Sequence, residues 1–401
     1  MAQCPRSNDP NGDRVLVGMM QGVPAAGDVV LSDVHRVGRA VLGGLAGARH
    51  RLMVGTVSER QTALVEIAHH GEWEPILRAA RGDNSWLVRR DAYWLLPPNH
   101  AAMPHPYQEL AWHCTLNLNT YDTVPVTDYV SSMAVGGDWL AVSTTRNTQL
   151  WHLPQQQRRH LLPVSGAVAL TADGGTLFSG SGCYDGTLTA WQGLSDRPEP
   201  YEIGAARGAE LDALALSGNG ELLAAVSSYH RRLRVWQWRD RRLVYAGEGQ
   251  SPLAVSGPYL LTGGRSIAVR KLGCGTLLRT VADGSHDWRA LAISPTGQWL
   301  AVGGYDGTVE VRSLLSGHVA QRLIPPTEPA PVTALSISPE GQILVSGDYW
   351  GNVHFWHLKT GAWLRTLPPY PDGISALAFN GAGNTLLVGV LRRARIDLWS
   401  A

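Results

Sequence analysis

Short runs of alternating apolar and polar residues recur along the chain, and Gly, Pro, Asn or Asp separates one run from the next. The clearest example, Pro331 to Leu367, reads PVTALSISPEGQILVSGDYWGNVHFWHLKTGAWLRTL. It predicts four short strands, because β-branched and aromatic residues fill the runs and turn-forming residues stand between them. A four-stranded meander cannot bury both of its faces alone, so it needs neighbours of its own kind.

The same pattern returns in copies that begin near Tyr129, Ser165, Gly208, Ser251, His286, Pro331 and Gly373. Their predicted third strands end on a tryptophan or an arginine at Trp151, Trp191, Trp236, Arg270, Arg312, Trp356 and Trp399. Successive copies are spaced by about 34 to 45 residues, which is the period of propeller blades with four strands each. The pattern therefore predicts an all-β fold, a seven-bladed β-propeller.

From Tyr107 to Ala401 the chain resembles the WD-repeat β-propeller family. The motifs that carry the resemblance are the S-P-x-G turns at Ser294–Gly297 and Ser338–Gly341, the Tyr-Asp-Gly-Thr turns at Tyr184–Thr187 and Tyr305–Thr308, and the third-strand tryptophans. The resemblance implies that some blades hold a hydrogen-bonded tetrad of His, Ser or Thr, Asp and Trp. His286 and Asp306 fit two positions of one tetrad, but Arg312 stands where its Trp would be. The Trp-Asp dipeptide that names the family is absent from the sequence.

The chain before the propeller has a different character. Residues 1–13 are polar and predict a loose leader, and residues 14–106 hold short apolar runs followed by a proline-rich connector. We interpret residues 14–106 as a β-rich N-terminal extension. The alternative is that this stretch forms an eighth blade. The propeller itself is predicted to span residues 107–401.

Closure of the ring requires one further strand. The last copy ends at Trp399, just after its third strand, so its fourth strand must come from elsewhere. Residues 109–119 (ELAWHCTLNLN) precede the first blade and alternate suitably, with Trp112, Cys114, Leu116 and Leu118 expected on one face. An open ring would leave unpaired strand edges, and closure removes them. We therefore predict that residues 109–119 complete the final blade.

Composition and charge narrow the function classes. The net charge of +1 gives no overall attraction to nucleic acid or to anionic membranes. The four cysteines, Cys4, Cys114, Cys183 and Cys274, form no C-x-x-C pair, so neither a zinc site nor a disulfide framework is predicted. Neither a signal peptide nor an apolar run long enough to span a membrane is visible, and the expected location is the cytoplasm.

Candidate chemistry is sparse. Histidines cluster at His69, His70, His100, His105 and His113, but their spacing does not suit a metal site. No nucleophile elbow, phosphate-binding loop, zinc-protease motif or calcium loop is present. We therefore predict neither a metal nor a cofactor, and no enzymatic activity.

The turn between the second and third strands of each copy is more informative. Aromatic residues and arginines gather there, and in a propeller these turns and the links between blades share one face. The predicted partner-binding residues are Tyr184, Tyr229, Tyr305, Tyr349, Trp350, Arg231, Arg232, Arg392 and Arg393. Tyr, Trp and Arg are the residues enriched at protein-interface hot spots. The alternative interpretation is that the tyrosines only pack blade against blade.

These observations favour a non-catalytic scaffold that binds a protein partner, as a subunit or assembly factor of a larger complex. One alternative is nucleic-acid binding through the Arg and Tyr loops. Another is a propeller enzyme or small-ligand sensor. A second basic cluster, formed by Arg239, Arg241 and Arg242 beside Trp238, is predicted on the opposite face as a solvated hairpin or a dock for an acidic partner.

Overall fold

The computed structural model describes residues 44–69, 73–96, 105–118, 129–181, 186–205, 210–282 and 287–401. The chain divides into two compact units, Met1–Tyr107 and Gln108–Ala401. The predicted leader, the first part of the extension and most of the proline-rich connector lie outside the described residues.

The described part of the first unit is helical. Its helices are α1 (Gly44–Val54), α2 (Val57–Ala68), α3 (Trp73–Ala80) and α4 (Trp86–Leu95), and a 3-10 turn follows at Pro106–Gln108. The β-rich interpretation of residues 14–106, and with it the eighth blade, is therefore wrong for residues 44–69 and 73–96.

The helical outcome has a local physical reason. Thr56 caps α2 with a capping box, in which the Glu59 amide donates to Thr56 Oγ1 at 3.3 Å and the Thr56 amide donates to Glu59 Oε2 at 2.7 Å. Ala63, Leu64 and Ile67 then fall on one helical face and are fully buried. The short apolar runs from which strands were predicted form instead the buried faces of short helices. These faces pack into one apolar cluster.

The second unit contains all the described strands. In chain order the first fourteen are β1 (Ala111–Asn117), β2 (Val130–Gly136), β3 (Trp139–Thr144), β4 (Thr148–His152), β5 (Gln157–Leu162), β6 (Val168–Leu170), β7 (Thr176–Gly180), β8 (Thr187–Gln192), β9 (Glu199–Ala205), β10 (Ala213–Leu216), β11 (Leu222–Ser227), β12 (Arg232–Gln237), β13 (Arg242–Glu248) and β14 (Leu253–Ser256). The remaining strands are β15 (Tyr259–Thr262), β16 (Ile267–Lys271), β17 (Leu277–Ala282), β18 (Trp288–Ile293), β19 (Trp299–Gly304), β20 (Val309–Ser313), β21 (Val319–Leu323), β22 (Val332–Ile337), β23 (Ile343–Asp348), β24 (Val353–His357), β25 (Trp363–Thr366), β26 (Ile374–Phe379), β27 (Thr385–Val390) and β28 (Arg395–Ser400).

These strands form seven antiparallel sheets of four strands each. We number them blade 1 (β2–β5), blade 2 (β6–β9), blade 3 (β10–β13), blade 4 (β14–β17), blade 5 (β18–β21), blade 6 (β22–β25) and blade 7 (β26–β28 with β1). The first strands of neighbouring blades contact one another in a closed cycle, β2–β6–β10–β14–β18–β22–β26 and back to β2. The seven-bladed β-propeller predicted from the sequence is therefore confirmed.

Burial follows the position of each strand in its blade. Second strands such as β7 and β23 are buried along their whole length, whereas fourth strands such as β5 and β21 are largely exposed. The apolar clusters draw on adjacent blades, as where Phe178 of blade 2 packs with Trp236 of blade 3. Each blade thus covers a face that its neighbour could not bury alone.

β1 supplies the fourth strand of blade 7 and pairs antiparallel with β28. This is the pairing that the closure hypothesis predicts. Leu116 and Leu118 insert into a cluster that includes Leu140 of blade 1 and Ile396 of blade 7. Residues from both ends of the second unit therefore form one sheet.

One detail of the closing strand differs from the prediction. Trp112 pairs with Trp399 and Cys114 with Leu398, so the register shifts at His113. A β-bulge changes the alternation of side chains by one residue. As a result Trp112 does not share the buried face of Leu116, and its side chain is 56% exposed.

Blade 5 contains a buried ion pair where other blades carry a third-strand tryptophan. Glu310 Oε2 accepts hydrogen bonds from Arg312 Nε at 2.8 Å and from Arg312 Nη2 at 2.6 Å, and the Glu310 side chain is 3% exposed. Arg312 Nη1 also donates to the carbonyl oxygen of Val281 in blade 4, at 2.9 Å. Arg312 thus bonds to Glu310 of its own blade and to Val281 of the preceding blade. An indole has only one N–H donor and could not make both contacts.

A pH dependence of stability is expected from β24. Burial holds the pKa of His354 below its usual range and outweighs the opposing effect of Asp348, and burial, then Lys359, lowers the pKa of His357. Both imidazoles favour the neutral form in the folded state, whereas in the unfolded chain they bind protons below about pH 6.5. The free energy of unfolding should therefore fall as the pH drops from about 6.5 towards the lowered values of the folded protein.

Urea unfolding measured near pH 7.5 and near pH 5.5 tests this expectation. The double variant His354→Gln/His357→Gln should lose less stability on acidification than the wild type does. An equal loss in both proteins would contradict the assignment to these two residues.

Candidate functional site

The turns between second and third strands lie beside the links that lead into the same blades. The Tyr305 amide donates to the Asp287 carbonyl oxygen at 3.0 Å, and the Tyr349 amide donates to the Pro331 carbonyl oxygen at 2.9 Å. We call the surface formed by these turns and links the turn face. Its backbone hydrogen bonds fix each turn against the start of its own blade.

Trp350 is held in an exposed position by a well-anchored turn. The Asp348 carboxylate accepts hydrogen bonds from the backbone amides of Trp350 and Asn352, each at 2.9 Å, and from Asn352 Nδ2 at 2.9 Å. Gly351 has a φ of +88°, and a Cβ there would lie 2.5 Å from the Tyr370 carbonyl oxygen, so only glycine fits. The turn is rigid, yet the Trp350 side chain is 70% exposed.

The predicted residues of blades 6 and 7 form one connected cluster. Arg392 Nη2 donates to the Tyr349 hydroxyl at 2.9 Å, which joins the turns of the two blades. Arg393 Nε donates to Asp372 Oδ2 at 2.7 Å. Tyr349 is 45% exposed, so its ring lies across the surface as well as against the neighbouring turn. We call Tyr349, Trp350, Arg392 and Arg393 the aromatic cluster.

Blade 5 contributes a second aromatic contact. The Tyr305 side chain is 57% exposed, and the Arg289 guanidinium carbon lies 4.9 Å from the centroid of its ring. This separation suits a cation–π interaction. Tyr305 therefore orients an arginine that the sequence did not single out.

The position of Tyr229 differs from the prediction. The turn of blade 3 is one residue longer than the turn of blade 5. Three residues lie between the hydrogen-bonded Gly304 and Thr308 in blade 5, whereas four lie between the paired Ser227 and Arg232 in blade 3. Tyr229 therefore stands one position later than Tyr305 and Tyr349. It projects further, with 82% of its side chain exposed.

The remaining predicted residues are not all brought together. Arg231 and Arg232 follow Tyr229 in blade 3, where both are exposed, and they lie in a different part of the turn face from the aromatic cluster. Tyr184 lies outside the described residues. The nine candidates thus divide among blades 3, 5 and 6–7, with one position not described.

A cleft of about 410 Å³ opens on the turn face where blades 3, 4 and 5 meet. Arg231, Arg265 and Arg289 line it together with Asp287, and the buried Trp288 also lines it. We call this site the arginine cleft. The sequence singles out Arg231 as a candidate but does not bring it together with Arg265 and Arg289.

The basic cluster predicted on the opposite face is engaged within the protein. The Arg239 guanidinium carbon lies 4.7 Å from the Trp238 ring centroid, and that of Arg241 lies 4.2 Å from the Tyr201 ring centroid. Arg242 Nη2 donates to Gln237 Oε1 at 2.6 Å. These contacts are those of a solvated hairpin whose arginines cover aromatic surface.

The described histidines serve local packing. His69 Nδ1 lies 2.7 Å from the Val65 carbonyl oxygen at the end of α2, and His113 Nε2 lies 2.8 Å from Gln156 Nε2. His105 is buried among aromatic rings, and His70 and His100 lie outside the described residues. Within the part of the chain that the structure covers, no group of three or more His, Cys, Asp or Glu side chains is arranged to hold a metal ion.

A cavity of about 300 Å³ lies among the first strands of blades 1, 6 and 7. Its lining combines polar groups, including those of Ser336 and Asn380, with apolar side chains such as Met133, Leu377 and Phe379. None of the side chains that line this cavity is titratable, so the cavity supplies neither a general acid nor a general base. Among the described helices, none has the length and apolar character needed to cross a membrane.

Comparison with known proteins agrees with this architecture. The family model described as "WD domain, G-beta repeat" matches residues 275–313 and 315–357. Each match begins near the fourth strand of one blade and includes the first three strands of the next, so a sequence repeat and a blade do not coincide. For the same reason the last repeat lacks a fourth strand, and β1 completes blade 7. A search of curated proteins gave no match.

The third-strand tryptophans add a structural signature. Trp191 Nε1 donates to Ser179 Oγ and Trp356 Nε1 donates to Ser346 Oγ, each at 2.9 Å, which ties the third strand to the second in blades 2 and 6. The closed ring of seven blades, these internal Trp–Ser hydrogen bonds and the two matched repeats together support assignment of the chain to the WD-repeat β-propeller family.

Proposed function

We propose that this protein is a non-catalytic interaction platform that binds a protein partner through the turn face of its propeller. WD-repeat propellers generally mediate protein interactions and are typically not enzymes, which supports this class of function. We further propose that the protein acts as a subunit or assembly factor of a larger complex.

The observation that carries the proposal is the aromatic cluster. Trp350 is a large apolar side chain on a rigid turn, and most of its surface faces solvent. Solvent exposure of an indole gains nothing for the fold, whereas burying it against a partner removes a large apolar area from water. Because the turn is already ordered, little conformational entropy would be lost on binding.

The neighbouring residues suit the same role. Tyr349, Arg392 and Arg393 lie in the same two turns and links of blades 6 and 7 as Trp350 and combine flat surfaces with hydrogen-bond donors, and hot spots are rich in Tyr, Trp and Arg. The hydrogen bond from Arg392 to Tyr349 at 2.9 Å and the one from Arg393 to Asp372 at 2.7 Å hold these side chains in place before a partner binds. The aromatic cluster is therefore preorganised for a protein surface.

Affinity capture from a lysate of the source organism tests the proposal. Wild-type protein and the Trp350→Ala variant serve as baits, and co-eluting proteins are quantified. We expect Trp350→Ala to lose at least one specific partner, since removal of a hot-spot tryptophan costs about 2 kcal/mol or more of binding free energy. Arg393→Glu should weaken the same partner.

A matched control is available on the same blade. Trp363 lies on β25, is half-exposed and donates to Thr366 Oγ1 at 3.1 Å, away from the turn between the second and third strands. Trp363→Ala should keep every partner that the wild type captures. Retention of all partners by both Trp350→Ala and Arg393→Glu would show that the aromatic cluster is not the binding site.

A further inference from the structure

The arginine cleft departs from the propeller repeat at one position. Near the start of four blades the strand register shifts at a single residue, and these residues are Ser131, Arg289, Thr333 and Ser375. In blade 1 Ser131 Oγ donates to the Ser143 carbonyl oxygen at 3.1 Å, and in blade 6 Thr333 Oγ1 donates to the Gly347 carbonyl oxygen at 3.2 Å. In blades 1 and 6 the hydroxyl residue at this position thus bonds to the second strand of its own blade. Blade 5 carries an arginine there instead.

The bulge at Arg289 explains where its side chain goes. Trp288 pairs with Gly304 and Ala290 with Gly303, so Arg289 has no partner of its own in the ladder. Bulges re-aim side chains near functional sites. Trp288 is buried and Arg289 is exposed, and the guanidinium of Arg289 lies over the ring of Tyr305 while the residue lines the cleft.

Positive charge exceeds negative charge among the described residues that line the cleft. Arg231, Arg265 and Arg289 line it with a single carboxylate, Asp287, and in the described chain none of the three arginines makes an ion pair. The situation differs in blade 7, where Arg393 is paired with Asp372. Three arginines of the turn face without an ion pair to any described residue therefore meet in one concave site.

Three guanidinium groups around one cleft define the ligand chemistry. Each guanidinium presents a planar fork of donors that matches the two oxygens of a carboxylate or a phosphoryl group, and such charge-assisted pairs are stronger than neutral hydrogen bonds. A volume of about 410 Å³ admits a few side chains of an extended segment. Asp287 would repel an anion at its own position, so the anionic group is expected between the arginines.

We propose that the arginine cleft binds an acidic segment of the partner protein, and that the anionic group is a carboxylate or phosphoryl group carried on a side chain. This inference rests on the proposed function, because it assigns a chemical class to part of the partner. A nucleic acid fits less well. A phosphate backbone needs a continuous basic track, whereas the cleft is one compact group of three arginines and the net charge of the chain is only +1.

Fluorescence anisotropy with labelled peptide pools tests this site directly. Three matched pools of short peptides have random flanks and carry glutamate, phosphoserine or serine at two central positions. We expect the full-length protein to bind at least one acidic pool about tenfold or more tightly than the serine pool. A preference for phosphoserine over glutamate would identify a phosphoryl ligand, and the reverse would identify a carboxylate.

Charge-neutral variants then locate the binding. Arg265→Gln and Arg289→Gln alter exposed side chains, so folding should be kept, and each is expected to weaken the acidic pool by about tenfold. Arg242→Gln, which changes an exposed arginine of the opposite face that is hydrogen-bonded to Gln237, should stay within about twofold. Equal binding of all three pools, or wild-type affinity in both cleft variants, would overturn the proposal.

Two further arms separate the alternatives. If labelled single-stranded RNA binds more tightly than any peptide pool and loses affinity in the same cleft variants, the site recognises nucleic acid and the proposal is wrong. In lysate capture, Trp350→Ala could lose partners while Arg265→Gln and Arg289→Gln retain all of them. This result would support the interaction platform but refute the binding of an acidic segment in the cleft. The opposite result is that the cleft variants no longer bind acidic peptides while Trp350→Ala keeps every partner. That result would refute the aromatic cluster as a partner-binding site.

Discussion

Replacement of Leu118 by aspartate is expected to lower the free energy of unfolding by about 5 kcal/mol. Truncation of a buried leucine costs about 2–5 kcal/mol, and an unpaired carboxylate in an apolar site adds a desolvation penalty. Leu118 is fully buried in the cluster that joins blades 7 and 1. Its backbone also holds the closure, since the amide donates to the Ala394 carbonyl oxygen at 2.8 Å and Gln149 Nε2 donates to the Leu118 carbonyl oxygen at 2.5 Å.

Urea unfolding monitored by circular dichroism measures this change, and size-exclusion chromatography reports whether the ring stays compact. Asn117→Asp is the matched control, because it introduces the same charge on the neighbouring, exposed residue of β1. That control should change the free energy of unfolding by no more than about 0.5 kcal/mol. If Leu118→Asp unfolded at the same urea concentration as the wild type, β1 would not be needed for ring stability.

Removal of the Glu310 carboxylate should have the second largest effect. Glu310→Ala leaves the Arg312 guanidinium, whose side chain is only 12% exposed, without its counter-charge. Loss of one partner of a buried ion pair costs about 3–5 kcal/mol, because the remaining charge is desolvated and unpaired. The hydrogen bond from Arg312 to Val281 would persist, but it carries no opposite charge.

A double replacement distinguishes two costs in stability: the cost of leaving Arg312 buried without a counter-charge, and the cost of losing the ion pair. Glu310→Leu/Arg312→Leu removes both charges, and we expect it to recover most of the stability, because apolar replacements of buried pairs are often neutral. Arg322→Ala provides the control: Arg322 Nε donates to Glu310 Oε1 at 3.0 Å, but its side chain is 73% exposed. Differential scanning calorimetry of the four proteins distinguishes these outcomes. A double variant as unstable as Glu310→Ala would refute the stranded-charge explanation.

The fold was predictable where structure is local. Turn residues and alternation specify each four-stranded blade within about forty residues, and the repeat then requires a ring. The helices of the first unit were missed because their apolar runs are short and interrupted by glycines and charged residues. The capping box at Thr56 and Glu59 was the available local signal, and it marks a helix start before a 3.6-residue pattern.

The candidate sites were predictable only in part. Trp350 could be recognised because it breaks the repeat at an exposed turn, and the structure places it on the turn face. The arginine cleft joins Arg231, Arg265 and Arg289 from three blades, and no pattern within one blade places them side by side. An alignment of the copies does contain one signal, since an arginine stands at 289 where three other copies have Ser or Thr. The bulge that turns Arg289 outward becomes visible only in three dimensions.

Blade 7, whose strands come from both ends of the second unit, also has a consequence for folding. Thr115 donates a hydrogen bond to Asp397 across 282 residues of sequence, so this contact forms only after a very large loop has closed. Until then β28 presents an open edge, and the β1 of another molecule can occupy it as well as its own. We therefore expect strand exchange between copies to compete with ring closure at high protein concentration, and dilute refolding to favour closure within one chain.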